Sequence, residues 1–146
     1  MARVEKSALV PYSAAEMYAL VDDVERYPEF LPWCSGAETP ERDATRTLAI
    51  LHIDYHGIRQ SFTTENTKIE PVEMQITLRE GPFDHLDGIW RFKALAVSAC
   101  KVSLVLDYGF ANPLLEKAVG PVFGMIANTM IERFVSRAEV LYGDPV

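Results

Sequence analysis

Residues 112–142, NPLLEKAVGPVFGMIANTMIERFVSRAEVLY, are the stretch that decides the fold. Asn112 followed by Pro113 is a typical helix start, because asparagine caps free backbone N–H groups and proline lacks the N–H that would be unpaired there. Gly143 is a typical helix terminator. The segment therefore predicts one helix from about Asn112 to Tyr142, which would span about 46 Å.

This helix has one apolar face, and charged residues such as Arg133 and Arg137 keep the rest of it in water. Pro121 lies inside the helix and removes one backbone hydrogen bond, so we expect a kink or an interruption there. Another part of the fold must cover this apolar face. The face consists of Leu115, Val119, Val122, Ile126, Met130, Phe134, Ala138 and Leu141.

The segments before the long helix alternate between apolar and polar residues, as half-buried antiparallel strands do. In residues 73–79, for example, Met74, Ile76 and Leu78 share one face. Gly57 separates two such segments and predicts a hairpin turn. The strand-like segments with located bounds are 3–11, 46–56, 58–69, 73–79, 86–96 and 101–110.

A first, shorter helix opens at Ser13, which forms a capping-box pattern with Glu16, and ends near Pro28. The element order is then strand, helix, short helical turn, six strands and a long helix, which predicts an α+β fold. We expect one domain, residues 1–146, in which a curved antiparallel sheet of about seven strands grips the C-terminal helix. A ligand cavity between the two layers is a hypothesis that follows from this arrangement.

The composition restricts the partners. The chain has 146 residues and a net charge of −7, which disfavours broad contact with nucleic acid, so DNA is not expected as a partner. The first residues alternate and do not form the apolar core of a signal peptide, which favours a cytoplasmic location. In that reducing compartment Cys34 and Cys100 are expected to be unpaired thiols.

We find no pattern that indicates catalysis. The motifs HExxH, GxSxG, GxGxxG and the phosphate-binding loop are missing from the sequence. His52, Asp54 and His56 share one strand face, but neighbouring side chains on such a face run parallel about 6–7 Å apart and do not converge on one metal ion. His85 is expected to be exposed in a turn. The sequence therefore predicts neither catalytic residues, nor a metal site, nor a required cofactor.

Three segments are unusual for their apolar or helix-weakening content: the connection 27–34, the turn 81–83 and the helical segment 120–124. Each has two interpretations. The loops could form the mouth of an apolar cavity, opening near Phe30, Trp33 and Phe83, and the glycines could admit a flat ring. Alternatively, all three could be packed into the core.

Several segments resemble those of the coenzyme Q-binding, START-like family of the polyketide cyclase/dehydrase superfamily, and the resemblance covers essentially the whole chain. The combination of spaced motifs carries it, since each motif alone is weak. The matching segments are 23–34, 62–64, 81–83 with Leu86, Gly88, Trp90 and Phe92, 110–114, and 137–143.

The resemblance implies a helix-grip fold and a cavity for ubiquinone or a similar lipid. The main functional prediction is therefore non-enzymatic ubiquinone binding that supports respiration, with transient contact at the surface of the inner membrane. Bacterial members are also named ribosome association toxins, so binding to the large ribosomal subunit is the alternative, and an aromatic cyclase or dehydratase is the third. The predicted ligand-binding residues are Phe30, Leu31, Trp33, Phe62, Phe83, Leu86, Trp90, Phe110, Val119, Gly120, Phe123 and Gly124.

Overall fold

The computed structural model describes residues 2–143. Its elements follow the predicted order, with a short 3₁₀ helix (Val24–Glu29) after the first helix. The helices are α1 (Ala14–Asp22) and α2 (Pro113–Tyr142), and the strands are β1 (Ala2–Val10), β2 (Cys34–Arg42), β3 (Arg46–Tyr55), β4 (Ile58–Ile69), β5 (Glu73–Glu80), β6 (Phe83–Ala96) and β7 (Ala99–Phe110).

All seven strands form one curved antiparallel sheet in the order β1-β7-β6-β5-β4-β3-β2, and α2 packs against one side of it. That side is called the concave face below, and the opposite side the outer face. The α+β helix-grip prediction is therefore confirmed. The core lies between the concave face, α1 and α2, where Trp90, Phe92 and Phe134 are buried.

The β3–β4 hairpin has a two-residue turn at the predicted place. Tyr55 pairs with Ile58, and both turn residues have positive φ, 50° at His56 and 81° at Gly57. That geometry matches the right-handed twist of a hairpin, and glycine adopts it without strain.

Strand β6 begins earlier than the sequence predicts. Phe83 is its first residue, and His85 pairs with Gly109 inside the sheet. The expectation of an exposed turn for His85 is therefore wrong. Its ring packs where a side chain at position 109 would stand, because Gly109 leaves that space open.

Strand β2 has no located bounds in the prediction. It contains Gly36 and Pro40, which are depleted in strands, and its pairing with β3 shifts register twice. It forms one edge of the sheet, where proline and irregular pairing are tolerated.

Both helix starts are as predicted. In the capping box of α1, Glu16 N donates to Ser13 Oγ and Ser13 N donates to Glu16 Oε1, each at 3.0 Å. In α2, Leu115 N donates to the Asn112 side chain at 2.9 Å. Of the two outcomes expected at Pro121, a kink or an interruption, the interruption does not occur, since α2 runs through this residue.

The buried face of α2 is displaced from the predicted stripe. Leu141 is 50% exposed, and Leu115, Val122 and Met130 are only partly buried. Five of the seven steps in the predicted stripe are four residues long, including four in succession from Val122 to Ala138. Each such step turns about 40° beyond a full helical turn, so the stripe drifts around the helix. The buried residues mix steps of three and four: Val119, Phe123, Ile126, Ala127, Ile131, Phe134 and Ala138.

Candidate functional site

An apolar cavity of about 60 Å³ lies between the concave face and α2. Strands β3 to β7 supply most of its wall, α2 closes it on one side, and the 3₁₀ helix contributes two residues. Its lining residues are Val24, Tyr27, Ala49, Leu51, Phe62, Thr64, Asn66, Ile76, Leu86, Trp90, Leu104, Leu106, Phe123, Ile126 and Met130.

The polar groups of this cavity come mainly from β4. Thr64 and Asn66 alternate inward after Phe62, and the Thr64 hydroxyl donates to Asn66 Oδ1 at 2.9 Å. Both side chains are buried. Because buried polar groups are retained when they are hydrogen-bonded to each other, this pair gives the cavity a polar wall without a charge.

The third polar group is Tyr27, whose hydroxyl donates to the Val21 carbonyl at 2.5 Å. Burial, and then the nearby Asp22 carboxylate, raise the pKa of Tyr27 far above its ordinary value. The hydroxyl therefore stays protonated and acts as a structural donor. Among the described residues that line the cavity, none is Asp, Glu, His, Lys or Cys, so the wall offers no general acid or base that titrates near neutral pH.

Four of the twelve predicted ligand-binding residues line the cavity: Phe62, Leu86, Trp90 and Phe123. Phe83 and Phe110 lie beside it in an aromatic cluster, with the Phe83 ring centroid 4.9 Å from that of Phe123 and 5.2 Å from that of Phe110.

On α2, Val119 is buried, while the space beside Gly120 and Gly124 is bounded by side chains at ordinary van der Waals distances. A Cβ at Gly120 would stand 3.7 Å from Phe110 Cε2, and one at Gly124 would stand 3.9 Å from the Tyr108 hydroxyl. Neither glycine therefore provides a slot for a flat ring in this structure.

The described residues form no open mouth near Phe30, Trp33 and Phe83, contrary to the prediction. Trp33 is 1% exposed and Phe83 is 5% exposed, and Leu31 is buried as well. Backbone hydrogen bonds pin the connection to β3, since Asp54 N donates to the Trp33 carbonyl at 2.9 Å. The indole N–H of Trp33 has no hydrogen-bond partner among the described residues.

Phe30 is held against α2 and does not open to solvent as a lid would. Its ring lies edge-on to Phe134 at 5.1 Å, and the Arg137 guanidinium lies 5.2 Å above it. Arg137 also donates to Glu29 at 2.6 Å, and this hydrogen bond lowers the pKa of the Glu29 carboxyl. An aromatic contact and an ion pair thus close the connection 27–34 onto the helix.

A second polar cluster, which the sequence did not reveal, ties α1 to the sheet. The buried Lys68 ammonium lies 3.2 Å from Asp22, and Arg42 contacts the other carboxylate oxygen at 3.2 Å. Burial, with Asp22 as the next cause, raises the pKa of the adjacent Tyr18 to about 12. The sequence contains one signal for this cluster: Phe62, Thr64, Asn66 and Lys68 alternate along β4 and therefore share its inward face. The signal is missed when polar residues are assumed to face solvent.

The remaining candidates do not assemble into a site. His52 Nδ1 lies 2.6 Å from the Ser61 hydroxyl. Within residues 2–143, no group of three His, Cys, Asp or Glu side chains could hold a metal ion. Cys34 and Cys100 are buried free thiols, and burial raises the pKa of Cys34 to about 11, which makes it a poor nucleophile. No helix in the described part of the chain is long and apolar enough to span a membrane.

Several known proteins resemble this chain in sequence or in fold. The ribosome association toxin RatA of Pseudomonas aeruginosa is 43% identical over 140 residues, covering 96% of this chain and 97% of that protein. A coenzyme Q-binding protein COQ10 homolog of Xenopus laevis is 23% identical over 142 residues, covering 94% of this chain and 58% of that protein. The ZhuI aromatase/cyclase of a Streptomyces species has the same fold, with a TM-score of 0.78, 18% identity and 99% of each chain covered.

A family model described as polyketide cyclase/dehydrase and lipid transport matches residues 10–135, which include most of the sheet and most of α2. The match covers well over half of the chain, and the helix-grip fold agrees with it. The chain belongs to this polyketide cyclase/dehydrase and lipid transport family.

Proposed function

We propose that this protein associates with the ribosome and acts as a ribosome association toxin. The observation that carries this proposal is the 43% identity to a protein of that name, which extends over nearly the whole length of both chains. The COQ10 homolog is more distant, at 23% identity. Function by binding to the ribosome requires a surface on the folded protein and does not require a chemically equipped cavity.

The geometry of the cavity supports this order of hypotheses. Pockets that hold drug-sized ligands usually measure about 300–1,000 Å³, whereas this cavity measures about 60 Å³. A ring with isoprene units would have to displace core side chains before it could enter. The cavity wall also lacks a group suited to acid–base catalysis, so the support for an aromatic cyclase is limited to the family match and a fold shared at 18% identity.

Co-sedimentation tests the ribosome proposal. Purified protein would be layered with isolated small subunits, large subunits and intact ribosomes, and the pellets would be assayed for the protein. We expect it to pellet with the large subunit and, when overproduced, to reduce the fraction of intact ribosomes in a polysome profile. Protein that stays in the supernatant with every particle would contradict the proposal.

Binding of an apolar small molecule is a second candidate, because the cavity combines an apolar wall with the uncharged Thr64–Asn66 pair. Met130, a partly buried residue with a flexible side chain, forms part of the wall on α2 and could move to enlarge the cavity. A quinone or similar lipid would then bind by burial of its apolar surface.

Native mass spectrometry of protein purified from its own host, followed by lipid extraction, tests this candidate. Ala49→Leu is the matched control, because Ala49 lines the cavity and a larger side chain fills it. We expect wild type to carry a lipid-sized mass that the variant lacks, with ribosome binding unchanged. Wild-type protein that carries no such mass, and does not acquire one from added short-tail quinone, would exclude the candidate.

A further inference from the structure

Three of the basic residues without ion-pair partners lie together at one end of the outer face. Most arginines and lysines of this acidic protein pair with carboxylates, as Arg46 does with Glu65 at 2.8 Å. Within residues 2–143, Arg91, Lys93 and Lys101 form no such pair, and all three are exposed.

The sheet register brings these side chains together. Lys93 of β6 lies directly opposite Lys101 of β7, and Lys101 lies opposite Leu9 of β1. Neighbouring strands are about 4.8 Å apart, so the three side chains form one row across the outer face. Arg91 stands two residues before Lys93 on the same face of β6.

Exposed aliphatic residues border this row. Leu9 is 73% exposed, Leu95 is 53% exposed, and Val97, in the turn between β6 and β7, is 97% exposed. We call the combined surface the basic tip. It consists of Arg91, Lys93, Lys101, Leu9, Leu95 and Val97.

The basic tip is unfavourable for the isolated protein. Like charges directly opposite each other on neighbouring strands are destabilising, and no described carboxylate pairs with Lys93 or Lys101. Glu73 lies opposite Arg91 on β5 without forming an ion pair with it. A stable fold does not need two unpaired lysines side by side, so their arrangement points to an anionic partner.

We propose that the basic tip is the surface that contacts ribosomal RNA, an inference that rests on the proposed ribosome association. Lysine and arginine bind phosphates independently of sequence, and three of them on the outer face of two neighbouring strands suit a phosphate backbone. The chain as a whole carries a net charge of −7, so carboxylates are in excess outside the basic tip, and their repulsion disfavours contact of RNA with the rest of the surface. The exposed aliphatic border would pack against the sugar surface beside the phosphates.

Two charge-reversal variants with the same net charge test the inference. Lys93→Glu with Lys101→Glu alters the basic tip. Lys117→Glu with Arg133→Glu is the matched control, because both residues are exposed on α2 and neither forms an ion pair with a described residue. Binding to purified large subunits would be measured over a range of salt concentrations, after thermal unfolding has shown that both variants are folded.

We expect the basic-tip variant to lose affinity by about tenfold or more, and the control to change by less than about twofold. The slope of log affinity against log salt should also become shallower by about 2 in the basic-tip variant alone. Equal binding by wild type and both variants would overturn the inference and leave the proposed function intact. Wild type that binds no ribosomal particle would overturn both.

Vesicles of phosphatidylcholine with and without phosphatidylglycerol distinguish a membrane from RNA, because lysines beside exposed aliphatic residues could also dock on anionic lipid. We expect no binding to either vesicle. Wild type that binds only the anionic vesicles, lost in the basic-tip variant while ribosome binding persists, would overturn the inference in favour of a membrane surface.

Discussion

The two faces of the sheet are made of the same strands and differ in almost every other respect. The concave face carries close aromatic contacts, such as Trp90 with Phe134 at 5.3 Å, and leaves a cavity of only about 60 Å³. The outer face of β6 and β7 carries the basic tip, whose lysines are exposed and unpaired among the described residues. The apolar segments that suggested a ligand site are thus packed into the core, whereas the unpaired lysines lie on the opposite face.

The largest expected effect concerns the centre of the concave face. Phe134 contacts the rings of Tyr27, Phe30 and Trp90 within 5.1–5.3 Å and is 1% exposed. Phe134→Ala should lower the free energy of unfolding by about 3–5 kcal/mol, because it removes buried area and leaves a cavity. Urea unfolding measures this, with Leu95→Ala on the outer face as a control that should change stability by less than about 0.5 kcal/mol. Similar losses in both variants would break the comparison.

The next effect concerns Gly81, at the turn before β6. Its φ is +154°, and an added Cβ would stand 2.7 Å from Phe62 Cβ. Gly81→Ala should therefore destabilise the protein by about 2–3 kcal/mol. Gly57→Ala is the matched control, because its φ is also positive but nothing lies within 4 Å, so about 1 kcal/mol is expected from backbone strain alone. A cost at Gly81 no greater than at Gly57 would show that the turn can shift away from Phe62.

A smaller effect, of opposite sign, concerns the glycines of α2. At Gly124 a Cβ would meet only the Tyr108 hydroxyl, at 3.9 Å, so Gly124→Ala should stabilise the protein by about 0.5–1 kcal/mol through helix propensity. Gly120→Ala should behave similarly. Thermal unfolding of both variants, with ribosome binding assayed in parallel, checks this. If either substitution abolishes binding while stability rises, the concave side takes part in function after all.

The smallest effect concerns the ion pair between Glu29 and Arg137 at the rim of the concave face. The hydrogen bond from Arg137 lowers the pKa of Glu29, so its stabilisation is present above the ordinary pKa of glutamate, about 4.3, and is lost as pH falls through the lowered value. Glu29→Gln should therefore be less stable than wild type at pH 7, and the two should converge in acid. A difference that persists at the lowest pH would mean that the contact with Arg137 does not depend on the charge of Glu29.

Local signals predicted much of the fold. The Asn112 cap, the Ser13–Glu16 capping box and the turn at Gly57 each depend on a few neighbouring residues, and all three are present. Strand β2 was not located, because Gly36 and Pro40 obscure its pattern and pairing along β3 holds it in place.

The site was harder to predict, because it depends on which way side chains turn after the layers have packed. Thr64 and Asn66 look like solvent-facing residues until Phe62 is seen to share their face. The apolar connection 27–34 fits a mouth and a core segment equally well in sequence, and the ion pair with Arg137, more than a hundred residues away, decides between them. The lysine pair of the basic tip depends on the register of two strands, which no single segment encodes.

The ends of the described chain are fastened to each other. Tyr12 donates to the Gly143 carbonyl at 2.8 Å, Tyr142 donates to the Glu16 carbonyl at 3.0 Å, and β1 is an edge strand whose neighbour is β7. During synthesis, β1 therefore cannot pair until β7 has been made, and the contact of α1 with the end of α2 cannot form until Tyr142 has been made. Such long-range pairing slows folding and delays it until the end of α2 has emerged. A nascent chain of this protein should thus remain incompletely folded, and in need of protection, until the end of α2 has emerged from the ribosome.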